Sequence, residues 1–78
     1  MTTNGNNARD AYQAHQTDIA RLIDVLQMEL ERHARQAEVD PRNWGRVGDL
    51  GKVRSDLIEM VSAVSGMDRE AIENFLAE

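Results

Sequence analysis

The sequence predicts an all-α protein: an antiparallel helical hairpin with a short third helix at its C-terminal end, dimerising into a helical bundle. Three observations carry this. A stretch of about 30 residues, from Ala8 to Ala37, contains neither Gly nor Pro and repeats its apolar residues at helical spacing. A second amphipathic stretch follows after a Pro- and Gly-containing break. The whole chain has 78 residues and no cysteine, so no disulfide or thiolate-bound metal can supplement its core.

Residues 1–7, Met-Thr-Thr-Asn-Gly-Asn-Asn, carry no apolar run. They read as a disordered tail, not a signal peptide, with Asn7 as the cap of the first helix. The first helix is expected over about 8–37. Tyr12, Ile19, Ile23, Leu26, Leu30 and Ala37 recur at alternating spacings of three and four, with Gln16 and His33 completing the seam. At 1.5 Å per residue such a helix is a rod of roughly 45 Å, too long to be the centre of a compact monomer without a neighbour along it.

A turn is expected over about 38–46, because Pro41 lacks an amide hydrogen and disfavours helical geometry at Asp40. The second helix is expected over about 47–65, with Leu50, Val53, Leu57, Met60, Val61 and Val64 as its stripe. Asp49 is its expected cap, on the premise that Gly48 breaks the first turn. Gly66 suits the left-handed position that ends a helix, and Asp68 suits the N-cap of a third helix over about 69–77. These segments make one helical domain, residues 8–78.

A short connection makes long helices antiparallel neighbours. That register sets Leu26 and Leu57 face to face and buried. It leaves about ten residues of the first helix uncovered, including Ala11 and Tyr12, on which Ile72, Phe75 and Leu76 of the third helix would pack. Both stripes are wider than one contact requires, so a homodimer is expected to cover the remainder.

The net charge of −5 disfavours a general nucleic-acid binder. The balance is uneven: residues 32–54 hold six cations and three acids, for +3, and the rest of the chain stands at −8. Arg42, Arg46, Lys52 and Arg54, around the turn, are the candidate contacts to phosphate or to an acidic protein; the bland reading is a solvated surface. Trp44 is read first as a plug over the end of the core. In that reading Gly45 and Gly48 allow close backbone approach and unusual dihedrals. The alternative is that Trp44 heads a partner-binding tip, since Trp and Arg dominate interface hot spots.

Glu29 and His33 share a helix face but lack the Glu-x-x-His spacing of di-metal bundles, and His33 reads as a seam residue. Asp56 and Glu59 read as solubilising charges. Neither a phosphate loop nor a nucleophile elbow is present. No catalytic, cofactor or metal site is therefore expected, and no apolar segment approaches the length of a membrane span.

The segment Trp44-Gly45-Arg46-Val47-Gly48-Asp49-Leu50, with Val53 and the apolar-periodic helix that follows, resembles a family of small bacterial helical-hairpin proteins, often found near mobile elements. The likeness covers roughly residues 30–64. It implies a hairpin and carries no established activity. The expectation is a cytoplasmic, non-enzymatic protein–protein interaction or regulatory module with an unknown protein partner. The alternatives are an acidic inhibitor that occludes a basic host surface, and a nucleic-acid-binding regulator that uses the basic turn.

Overall fold

The computed structural model describes the backbone of residues 4–78 and the side chains of residues 7–78. They form three α-helices and no strand: α1 (Asn4–Val39), α2 (Trp44–Ser65) and α3 (Arg69–Ala77). The fold is all-α. The chain divides into two compact units between Val39 and Asp40, the first formed by α1 and the second by α2 and α3.

The first unit is a single helix of 36 residues. It begins at Asn4, so Asn4–Asn7 are helical and Asn7 is not the cap; residues 1–3 of the expected tail lie outside the described residues. Asn and Gly are poor helix formers, yet lengthening an existing helix escapes the nucleation penalty and needs only one favourable hydrogen bond per residue. The helix ends at Val39, immediately before Asp40-Pro41.

The second unit opens with a tighter turn than expected. The Asn43 amide donates to the Asp40 carbonyl at 3.3 Å, closing a four-residue turn with Pro41 in its second position. Asn43 then caps α2. Its backbone is extended, its Oδ1 accepts from the Gly45 amide at 2.9 Å, and its Nδ2 donates to Asp40 Oδ2 at 3.1 Å. The cap is thus Asn43 and not Asp49. Gly45, Gly48 and Gly51 are all interior to α2 with ordinary helical dihedrals. Around Gly48 and Gly51 a Cβ would meet nothing within 4 Å, so they serve no close approach within the chain.

Gly66 is the one described residue with positive φ, at 78°, and its amide donates to the Ser62 carbonyl at 3.0 Å, which closes α2. Three further hydrogen bonds tie the turn. Ser62 Oγ donates to the Met67 carbonyl at 2.6 Å, Ser65 Oγ donates to the Val61 carbonyl at 2.6 Å, and the Met67 amide donates to Ser65 Oγ at 3.1 Å. Asp68 caps α3, accepting from the Ala71 amide at 2.8 Å.

α3 packs on α2. Each helix contributes one buried side chain, Ile58 at 3% exposure and Ile72 at 5%, and these two are the buried core among the described residues. Two corrections follow. Leu26 is half-buried, not buried, and Leu57 is 39% exposed; the face of α2 that α3 covers is centred on Ile58, about 100° round the helix from Leu57. Tyr12 is 68% exposed, and within α3 only Ile72 is buried, Phe75 and Leu76 being exposed.

Candidate interaction surface

Helical periodicity decides what each helix offers a neighbour. On α1 no described residue is buried. Leu26, Leu30, His33 and Ala37 are half-buried, and they are consecutive positions of the seam. Toward the N-terminus the same seam is open: Tyr12, Ile19 and Ile23 are exposed, and Leu22 widens the open face. Asp18, Arg21, Asp24, Glu29, Glu31, Arg32 and Arg35 all project about 90° or more from the centre line of the seam. The outcome is a face without formal charge, running about 38 Å from Tyr12 to Ala37. The charges lie on the solvent side, where Arg32 pairs with Glu29 at 3.0 Å; an exposed pair of this kind contributes about 0.2–0.5 kcal/mol.

α2 carries two distinct faces. Ser55, Ile58 and Ser62, spaced three and four residues apart, form the side on which α3 lies. The small side chains beside Ile58 let α3 approach closely. Arg69 Nη2 donates to Ser55 Oγ at 3.2 Å, and Glu73 lies 3.8 Å from Arg54 and 3.6 Å from Arg69. Roughly 140° round the helix lies the apolar stripe. Leu50, Leu57, Met60, Val61 and Val64 are exposed there and Val53 is half-buried. The docking side was not read from the sequence. Its signal is the pair of small residues at 55 and 62 flanking Ile58, which looks polar to a hydrophobicity pattern.

The expected contact residues are not gathered into one patch. Trp44 stands at the first position of α2 and is 81% exposed, which overturns its reading as a core plug. With a full four-residue turn and an Asn43 cap before it, the indole is held at the helix start, where no later turn of α2 covers it. Arg42 lies in the turn. Arg46 is half-buried, whereas Lys52 and Arg54 are exposed. Lys52 projects about 120° from Arg46 and about 160° from Arg54, so α2 presents no single basic face. Two of these cations face acids: Lys52 meets Asp56 at 3.0 Å, and Arg54 meets Glu73.

Among the described residues, no group of three His, Cys, Asp or Glu side chains is placed to hold a metal ion. No described helix is long and apolar enough to cross a membrane. No protein-family model matches the sequence, and no curated protein or solved structure matches it. No family is therefore assigned.

Proposed function

We propose that this chain is a non-enzymatic helical interaction module that self-associates as a homodimer in the cytoplasm through the uncharged face of α1. The observation that supports this reading is the contrast between that face and the small core. Burying an isoleucine contributes about 1.5–3 kcal/mol, so Ile58 and Ile72 together supply only a few kcal/mol. Ordering the backbone opposes folding by about 1–2 kcal/mol per residue. A helix as long as α1 gains its stability chiefly from packing its amphipathic face. Ile19, Leu22 and Ile23 are the apolar side chains it leaves open for that purpose.

The test is sedimentation equilibrium across a concentration series, with circular dichroism on the same samples, for the wild type and for Leu22→Glu/Ile23→Glu. The wild type is expected to be dimeric at micromolar concentration and the double variant to weaken association by at least tenfold. A fully helical wild-type monomer at high micromolar concentration would overturn the proposal.

A further inference from the structure

We draw no further inference here: the strongest candidate, the exposed apolar stripe of α2 on the side away from α3, from Leu50 through Leu57 to Val64, carries nothing because nothing in the structure shows what covers it.

Discussion

The two units of this chain solve the same problem in opposite ways. The α2–α3 unit is short-range in construction: each helix has a side-chain cap, a left-handed glycine joins them, and one isoleucine from each is buried. Most of its hydrogen bonds and ion pairs link residues within one or two turns in sequence, and the Arg69–Ser55 bond and the Arg54–Glu73 pair tie α3 back to α2. α1 is the longest helix and amphipathic along most of its length, yet none of its described residues is buried. An amphipathic pattern therefore announces that a face needs covering, and local capping chemistry does not supply the cover.

The largest expected effect tests whether the α2–α3 core is where the structure places it. Ile58→Ala should destabilise the protein by about 2–5 kcal/mol, the range for a large-to-small change at a buried site. Leu57→Ala, one residue away on the exposed stripe, should have a clearly smaller effect. Chemical denaturation followed by circular dichroism at one fixed protein concentration measures both. Equal losses would mean that the stripe is as well buried in solution as the docking face, and the contrast between the two faces would fail.

The intermediate effects concern the start of α2. Asn43→Ala removes the acceptor of the Gly45 amide and should lower stability by about 1 kcal/mol. Gly48→Ala should have the opposite sign. The position is helical and the space around it is open, so the methyl group should stabilise by about 0.5–1 kcal/mol. Thermal melts of the two variants separate these outcomes. If Gly48→Ala lowers the melting temperature and also weakens association, another chain approaches the backbone there, and the two units share in self-association instead of dividing the roles.

The smallest effect sharpens the reading of the basic residues. Lys52 and Asp56 form an exposed pair one helical turn apart, 3.0 Å between charged atoms. Lys52→Ala should change stability by about 0.2–0.5 kcal/mol at low salt, and the difference should vanish at high salt. Melts at two ionic strengths give the answer. A large, salt-independent loss would show that the Lys52 stem is packed rather than solvated.

Much of the local architecture was legible before the structure. Helical periodicity from Tyr12 to Ala37 needs no tertiary information, because side chains three and four apart share a face whatever lies opposite. Asp40-Pro41 stops α1 for a reason internal to the dipeptide. Gly66 and Asp68 mark the end of one helix and the start of the next through backbone conformation and a side-chain hydrogen bond, both local. The Asn43 cap is equally local, but Gly48 one turn later looks like a helix breaker and shifts the expected cap to Asp49. Within a helix that is capped and continued, each glycine is only a modest penalty.

What the sequence determined by itself, then, is the helical class, the three helices and the chemistry of three of their ends, since each depends on neighbours along the chain. What only the tertiary structure decided is which face of α2 receives α3, and that Trp44 stands in the open. Periodicity identifies an apolar face but not the surface that meets it. The docking face was chosen by Ile58 and by the room that Ser55 and Ser62 leave beside it, and room for a neighbour is a property of two helices together.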